Sequence, residues 1–394
     1  MATGKFTRPP FPLNSFPGSG KVQNSSNPEA RKTGSSYPKQ GDHVMKRRLP
    51  AEWEEQDGVL IAWPHESTDW HPHLDQVEPV FADIVARISR FETAVVAAPD
   101  PERVEKQVTL AGAVPANVRI YRMDTNDTWA RDFGPITIET QGNTVLLDFG
   151  FNGWGLKFAA NLDNQVTRLL HEAGAFCTVS RRAVGLILEG GSIESDGRGT
   201  ILTTAQCLLE PNRNPNLTRG ELQDRIAELL GAERILWLEN GFLAGDDTDS
   251  HVDTLVRFCP EETIAYVRCD DPTDEHYPAL TAMEKELRQF RTGTGNPYRL
   301  IPLPWPAPRF DETGERLPAT YANFLVINGA VLVPTYRDRN DGAALKAVGE
   351  AFPGREIIGI DCLPLILQHG SLHCVTMQLP RGALRNAAFP QSLR

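Results

Sequence analysis

One cysteine near the end of the chain combines a reactive side chain with a position that would expose it. Cys374 lies in the segment His369-Gly-Ser-Leu-His-Cys-Val-Thr-Met-Gln378, where a strand predicted over 372–378 presents its sulfur at a strand end. A thiol becomes a good nucleophile once it is deprotonated, and a nearby histidine or a cationic substrate lowers its pKa. His373 is not expected to be that histidine, because neighbouring side chains on a strand point to opposite faces. The alternative is a buried, unreactive cysteine.

An acidic segment places a histidine among carboxylates. Gly245-Asp-Asp-Thr-Asp-Ser-His-Val-Asp253 contains four aspartates and one histidine, and it leads into a strand predicted over 252–258. Side chains two positions apart on a strand share a face, so His251 and Asp253 are predicted to lie side by side. This pairing indicates proton transfer beside a carboxylate. The alternative is a solvated acidic loop that binds calcium, although the segment lacks the glycine and terminal glutamate of an EF-hand loop.

Two further carboxylates precede predicted strands in the same way. Asp132 lies in Trp129-Ala-Arg-Asp-Phe-Gly-Pro135, and Glu189 lies in Leu188-Glu-Gly-Gly-Ser192. A carboxylate followed by glycine and then a strand is readily exposed in a pocket. Taken singly, each is also compatible with turn formation or helix capping.

Together, a thiol, a histidine and several carboxylates suit one substrate group, the guanidinium. This group is a planar cation whose N–H donors form a fork that matches carboxylates. Thiolate attack on its central carbon requires ammonia to be protonated as it leaves, and a water molecule must later be deprotonated to release the product. One histidine can serve both steps. The chain carries neither a phosphate-binding glycine loop nor a common metal-ligand spacing.

The elements that must position these residues alternate between strands and helices. Short β-rich runs and amphipathic windows predict an α/β protein, with helices over 77–90, 162–173, 219–230, 278–291 and 343–352. Polar residues open successive β-rich units at uneven spacings of roughly 50 to 75 residues, which predicts repeated units whose leading residues meet at one centre. These leading residues are Asp57, Asp132, Glu189, His251 to Asp253, Asn323 and Cys374.

Composition narrows the partners. The chain has 394 residues, is 40% hydrophobic and has a formal net charge of -11, which argues against nucleic acid and favours a small cationic ligand. No run of apolar residues is long enough to span a membrane. The six cysteines form no C-x-x-C pair, which is typical of a reducing compartment, so we expect a cytoplasmic protein. Residues 1–44 are predicted to be a disordered tail, and residues 45–394 a single catalytic domain.

A set of motifs in fixed order makes the chain resemble the agmatine deiminases, in the family that also contains bacterial peptidyl-arginine deiminases. The resemblance runs from about Trp53 to Pro380. The motifs are Trp-Ala-Arg-Asp132, Phe151-Asn-Gly-Trp-Gly155, Leu-Glu189-Gly-Gly-Ser, Asn212-Arg-Asn-Pro215, Asp246-Asp-Thr-Asp-Ser-His-Val-Asp253, Tyr321-Ala-Asn-Phe324 and Gly370-Ser-Leu-His-Cys374.

The resemblance implies an α/β propeller of the pentein type, with five ββαβ-type units around a pseudo-fivefold axis. It implies that agmatine is hydrolysed to N-carbamoylputrescine and ammonia, in putrescine biosynthesis, through a covalent thiouronium on the cysteine. No metal or organic cofactor is implied. Many family members are homodimers, which makes a homodimer a candidate assembly. By resemblance, Cys374 is the nucleophile, His251 the general acid and then base, Asp132 and Asp253 the guanidinium clamp, and Glu189 a partner that positions the substrate or His251.

Other positions bear on the distal end of the substrate and on the alternatives. We predict that Asp247, Trp129 and Trp154 contact the substrate, with Asp247 near the amine of agmatine. Ser250 replaces a glycine that is usual in the family, which would shift the loop if that glycine has positive φ. The alternatives are a deiminase acting on free or peptidyl arginine, and a non-catalytic pentein that only binds a partner.

Overall fold

The computed structural model describes residues 47–176 and 178–384. The predicted disordered tail at residues 1–44 lies outside them, as does Cys177. All described residues belong to one compact unit of the chain. In this part of the chain, no helix is both long and apolar enough to cross a membrane.

The described residues contain strands of two to eight residues. In chain order they are β1 (Arg47–Arg48), β2 (Gln56–Ala62), β3 (Thr93–Ala98), β4 (Val118–Arg122), β5 (Ile136–Thr140), β6 (Asn143–Gly150), β7 (Ser180–Ile187), β8 (Ile193–Ser195), β9 (Thr200–Thr204), β10 (Arg234–Leu238), β11 (Val256–Cys259), β12 (Thr263–Val267), β13 (Arg299–Leu303), β14 (Arg309–Phe310), β15 (Arg316–Leu317), β16 (Leu325–Ile327), β17 (Ala330–Thr335), β18 (Glu356–Asp361) and β19 (Thr376–Pro380).

The α-helices of the described chain range from single turns to sixteen residues. They are α1 (Leu74–Ser89), α2 (Pro101–Leu110), α3 (Ala130–Phe133), α4 (Gly153–Leu156), α5 (Val166–Glu172), α6 (Ala205–Leu208), α7 (Arg219–Leu230), α8 (Tyr277–Gln289) and α9 (Asp341–Ala351). Short 3-10 helices cover His71–His73, Pro115–Asn117, Asp163–Gln165, Gly190–Ser192, Val252–Thr254 and Leu365–Gln368.

Five sheets of the described chain repeat one pairing pattern. In each, a central strand pairs antiparallel with one neighbour and parallel with the strand that follows it after a helical connection. The five groups are β5-β6-β7, β8-β9-β10, β11-β12-β13, β16-β17-β18 and β19-β2-β3. The last group joins the two ends of the described chain, because β19 pairs with β2. The order of elements predicted from sequence alternation is therefore present.

Local chemistry explains several of these elements. The central strands β2, β12 and β17 each contain a continuous run of buried apolar residues, as expected of strands covered on both faces. Helix α7 begins with a capping box, in which the side chains of Thr218 and Glu221 bond reciprocally to backbone N–H groups, and it ends at Gly231 with φ of 72°. The predicted bounds of this helix are confirmed.

Two predicted strands begin later than the sequence suggested. The predicted segments 252–258 and 372–378 become strands only at β11 and β19, after a 3-10 helix and a turn. The prediction that His251 and Asp253 share a strand face was therefore wrong. At 252–255 the N–H groups of Thr254 and Leu255 bond to the carbonyls of His251 and Val252, which forms a 3-10 helix in place of a strand. At the other segment Asn323 Oδ1 accepts the backbone N–H groups of His373 and Cys374 and so takes the place of a ladder partner.

Candidate active site

Cys374 is held in the turn that leads into β19. Its backbone N–H and its thiol both donate to Asn323 Oδ1, at 3.3 and 3.4 Å. Its carbonyl oxygen accepts the backbone N–H of Arg131 at 3.2 Å, which ties the turn to helix α3. The thiol position is thus fixed from two distant parts of the sequence.

The Cys374 thiol is buried and lies among negative charges. Only 7% of the residue is exposed, and its Sγ is 3.9 Å from Asp253 Oδ2. Burial, followed by the charges of Asp253 and Asp132, raises the pKa of Cys374 well above its usual value. Without a cation beside it, the residue is therefore a thiol.

Cys374 lines a cavity of about 240 Å³ whose walls are acidic and aromatic. Among the described residues that form these walls there is no lysine or arginine, so the cavity suits a cation with an apolar body. Asp69 and Asp127 were not singled out from the sequence, and burial raises the pKa of Asp127 to about 6. The aspartates in the wall are Asp69, Asp127, Asp132, Asp246 and Asp247, and the larger aromatic residues are Trp129, Trp154 and Phe158.

Asp253 lies in the 3-10 helix before β11 and is completely buried. Its Oδ2 is 2.7 Å from His373 Nδ1 and accepts Asn323 Nδ2–H at 3.3 Å, whereas its Oδ1 is buried without a hydrogen-bond partner. Burial acts to raise the pKa of Asp253, but the hydrogen bond and charge of His373 outweigh it and hold that pKa below its ordinary value. Asp253 is therefore an anion with one free oxygen.

Asp132 lies in helix α3 and is also buried, but both of its oxygens are occupied. Oδ1 accepts the Gly191 N–H and Oδ2 accepts the Trp154 indole N–H, each at 3.0 Å. Burial, followed by the negative charges of Asp253 and Glu189, raises the pKa of Asp132 well above its ordinary value. The pKa values of the two predicted clamp carboxylates are thus shifted in opposite directions.

His251 caps the 3-10 helix that carries Asp253 and is 1% exposed. Its Nδ1 is 3.6 Å from Asp132 Oδ1, and its Nε2 is 4.0 Å from Glu189 Oε2 and has no hydrogen-bond partner. Burial lowers the pKa of His251 to about 3, and the charge of Asp253 opposes this only in part. The imidazole is therefore neutral and able to accept a proton.

Glu189 is fixed by Arg213, to which the sequence alone assigned no role beyond its place in the motif Asn212-Arg-Asn-Pro215. Arg213 Nε lies 2.9 Å from both carboxylate oxygens of Glu189. The same guanidinium pairs with Asp249 Oδ2 at 2.7 Å and donates to the Thr248 carbonyl at 2.9 Å, which anchors the loop that leads to His251. Burial raises the pKa of Glu189, although the charge of Arg213 opposes this. Glu189 is thus placed beside His251 by a buried ion pair.

The predicted substrate contacts all lie in the cavity wall. Trp129 packs against Trp70, with ring centroids 5.8 Å apart. Trp154 has φ of 53°, and its ring stands edge-on to those of Phe151 and Phe158 while its N–H reaches Asp132. Asp247 lines the cavity, and its backbone carbonyl accepts the ammonium of Lys157 at 2.7 Å.

The acidic loop is satisfied internally. Asp246 accepts the backbone N–H groups of Thr248 and Ser250, and Asp249 pairs with Lys157 at 2.7 Å as well as with Arg213. These contacts leave the carboxylates of Asp246 and Asp249 occupied by protein donors, which argues against the calcium-loop alternative. Ser250 has φ of 66°, so it occupies the left-handed conformation that a glycine would favour.

Two groups of described side chains have the spacing of a metal site. Glu189, Cys207 and His251 form one, and Glu52, Glu194 and His373 form the other, with ligand atoms within 4.8 Å of one another. In each group an arginine already binds the carboxylates: Arg213 holds Glu189, and Arg257 pairs with Glu52 and Glu194. A bound cation would have to displace these guanidinium groups, so neither group fits a metal well.

Comparisons with known proteins agree over most of the chain. A family model described as Porphyromonas-type peptidyl-arginine deiminase matches residues 48–380. A solved structure from Porphyromonas gingivalis, described as a "Putative Arginine Deiminase", is 50% identical, with 86% of this chain and 100% of that one covered and a TM-score of 0.81. The C. jejuni agmatine deiminase with substrate bound is 39% identical, with 88% and 99% covered and a TM-score of 0.81. A curated relative from Shewanella baltica, named "Putative agmatine deiminase", is 33% identical over 85% of this chain and 94% of its own length.

Proposed function

Because the chain belongs to the Porphyromonas-type peptidyl-arginine deiminase family, we propose that it hydrolyses the guanidinium group of agmatine. The products are N-carbamoylputrescine and ammonia, a step in putrescine biosynthesis. One observation carries the proposal: a buried thiol faces a cavity whose walls hold five aspartates and, among the described residues, no basic lysine or arginine. Such a cavity stabilises a cation beside a nucleophile.

The reaction follows from the groups around the thiol. Cys374 Sγ attacks the guanidinium carbon, and the C–N bond to the leaving nitrogen breaks as His251 protonates that nitrogen, which departs as ammonia. The thiouronium that remains is attacked by water, from which neutral His251 takes a proton. The C–S bond then breaks and returns the thiolate. Asp132 and Asp253 hold the guanidinium N–H donors, and Glu189 orients His251.

The protonation states of Cys374 and His251 suit a reaction in which the substrate itself activates the nucleophile. Burial and two carboxylates keep Cys374 protonated, and burial keeps His251 neutral. A guanidinium bound beside the sulfur offsets the negative charge around it and so favours the thiolate. The proton of the Cys374 thiol then moves towards His251. The cation therefore creates the nucleophile that attacks it.

The distal wall favours agmatine over arginine. Agmatine ends in an ammonium, which carboxylates such as Asp247 can receive, whereas the carboxylate of arginine would require a cation that the described lining lacks. Trp129 and Trp154 contact the methylene chain. The 50% identity to a protein described as an arginine deiminase makes arginine the necessary competitor in any assay.

We also infer that the five sheets stand around one axis, as in a pentein propeller. This is supported by the position of five residues at the site, each of which shortly precedes the first strand of one sheet: Asp132, Glu189, Asp253, Asn323 and Cys374 precede β5, β8, β11, β16 and β19. The protein is further proposed to work in the reducing cytoplasm, in keeping with free thiols at the five described cysteines, and as a homodimer, in keeping with the family resemblance.

The test is ammonia release from agmatine, free arginine and a peptidyl-arginine substrate. Release from agmatine that is abolished in Cys374→Ala and retained in the matched control Cys269→Ala would support the activity and the nucleophile. Faster turnover of arginine would overturn the choice of substrate. No release from any of the three would overturn the enzyme proposal and favour the binding-protein alternative.

A further inference from the structure

A row of buried ionisable side chains extends from Asp253 away from the substrate cavity. His373 Nδ1 lies 2.7 Å from Asp253 Oδ2, and His373 Nε2 lies 2.8 Å from Glu52 Oε1. His373 is completely buried, and its backbone N–H is held by Asn323 Oδ1 at 2.8 Å. A carboxylate therefore faces each ring nitrogen of one imidazole.

Glu52 is itself fixed by two buried arginines. Its Oε1 accepts Arg131 Nη1 at 3.2 Å and its Oε2 pairs with Arg257 Nη2, which is also 3.0 Å from His373 Nε2. Arg257 continues to Glu194 and to the carbonyl of Ala322. The position of the imidazole is therefore set by a network anchored on five separate segments of the chain.

The geometry requires that His373 carry a hydrogen on Nδ1. An ionised Asp253 is only an acceptor, so His373 must present an N–H to it whether the ring is neutral or charged. This bond occupies Oδ2 and prevents rotation of the carboxylate. Asp253 Oδ1 is then left buried and without a partner, on the same carboxylate whose Oδ2 is 3.9 Å from the Cys374 sulfur.

We propose that His373 and Glu52 are positioning residues, which hold the Asp253 carboxylate so that its unpartnered Oδ1 receives a guanidinium N–H of the substrate. The inference rests on the proposed function. His373 acts through Asp253 and touches neither the thiol nor the substrate. His373 is adjacent to Cys374 in the sequence, but it positions a carboxylate of the guanidinium clamp and does not activate the thiol.

Two amide variants separate positioning from simple packing. The Nδ2–H of asparagine can replace the Nδ1–H of histidine, whereas glutamine places its amide near the Nε2 position and leaves Asp253 without that donor. We expect the KM for agmatine to rise about ten- to a hundredfold in His373→Gln and to stay within about threefold in His373→Asn. kcat should change less than KM in His373→Gln, because Asp253 binds substrate and transition state alike.

Glu52→Gln provides a second arm if the histidine variants fold poorly. It keeps the shape of the side chain, removes the charge that fixes the imidazole, and should raise KM about three- to tenfold with thermal unfolding used to verify a native fold. Equal KM values in His373→Gln and His373→Asn would overturn the inference, as would a wild-type KM in Glu52→Gln. Failure of the proposed function is separate, because it would appear as an inactive wild-type protein.

Discussion

The two carboxylates of the proposed clamp lie in opposite electrostatic surroundings. Asp253 is supported from behind by His373 and stays ionised, with a pKa below its ordinary value. Asp132 accepts hydrogen bonds from the neutral N–H groups of Gly191 and Trp154 and lies near other carboxylates. Its pKa is raised well above its ordinary value. Two buried carboxylates so close together cannot both be anions without a cation between them. Asp253 is thus the more readily ionised carboxylate, and we expect Asp132 to ionise more fully when the cationic substrate binds.

The largest expected effect tests the more readily ionised carboxylate directly. Asp253→Asn should lower kcat/KM for agmatine about a thousandfold, because a buried partner of the cation is lost. Asp132→Asn should lower it about a hundredfold, because Asp132 is the less readily ionised of the two. Steady-state ammonia release measures both. A larger loss in Asp132→Asn than in Asp253→Asn would reverse the assignment.

The acid side of the pH profile tests the second carboxylate. kcat/KM reports the free enzyme, and Asp132 binds a cation only when ionised, so activity should fall as the pH drops through its raised pKa. In Asp132→Asn this acid limb should move to lower pH, because His251 and Asp253 have lowered pKa values. An acid limb that keeps its position in the variant would assign it to another group.

Alkylation of the Cys374 thiol should also distinguish the two carboxylates. The substitution that slows turnover most should accelerate alkylation most. Asp253→Asn removes an anion beside the sulfur, so alkylation of Cys374 by iodoacetamide near neutral pH should become about tenfold faster. Asp132→Asn should accelerate alkylation less, since the raised pKa of Asp132 makes it the less readily ionised carboxyl. Cys374→Ala supplies the background rate. Equal acceleration in both variants would mean that both carboxylates are equally ionised in the free enzyme.

Substitution of Trp154 tests the hydrogen bond that its indole N–H donates to Asp132. Trp154→Phe keeps the ring between Phe151 and Phe158 and removes the indole N–H that Asp132 Oδ2 accepts. KM for agmatine should rise about fivefold, and the acid limb should move to higher pH, because the ionised carboxyl loses a donor. Trp154→Ala should raise KM further. An unchanged KM in Trp154→Ala would remove Trp154 from the substrate site.

The smallest effect concerns the loop that carries His251. Ser250 has φ of 66° and its hydroxyl donates to Gln206 at 3.2 Å. Ser250→Gly and Ser250→Ala both lose this bond, but only glycine relieves the backbone. Unfolding by denaturant should therefore find the glycine variant about 1 kcal/mol more stable than the alanine variant. Equal stability would show that the conformation carries little strain.

Local signals in the sequence were sufficient for several elements and for the location of the candidate site. Helix α7 carries its own start and stop in Thr218 and Gly231, and it has the bounds predicted from the sequence. The motifs around Cys374 and His251 lie at the cavity or directly behind it. Each of these signals depends on neighbours within a few residues, which is why a single sequence is enough to read them.

Only the tertiary structure decided how these residues relate and which of them carry charge. His373 and Asp253 are 120 positions apart in sequence, and Glu52 is 321 positions from His373, so no local pattern could pair them. The strand predicted over 372–378 begins late for the same reason, because the distant Asn323 accepts the backbone N–H groups of His373 and Cys374. The strand predicted over 252–258 begins late because the N–H groups of Thr254 and Leu255 bond to the carbonyls of His251 and Val252 in a 3-10 helix. A pKa depends on burial and on charges brought together by folding. The sequence therefore determined which groups are present, and packing determined which of them are anions, which are neutral and which way they point.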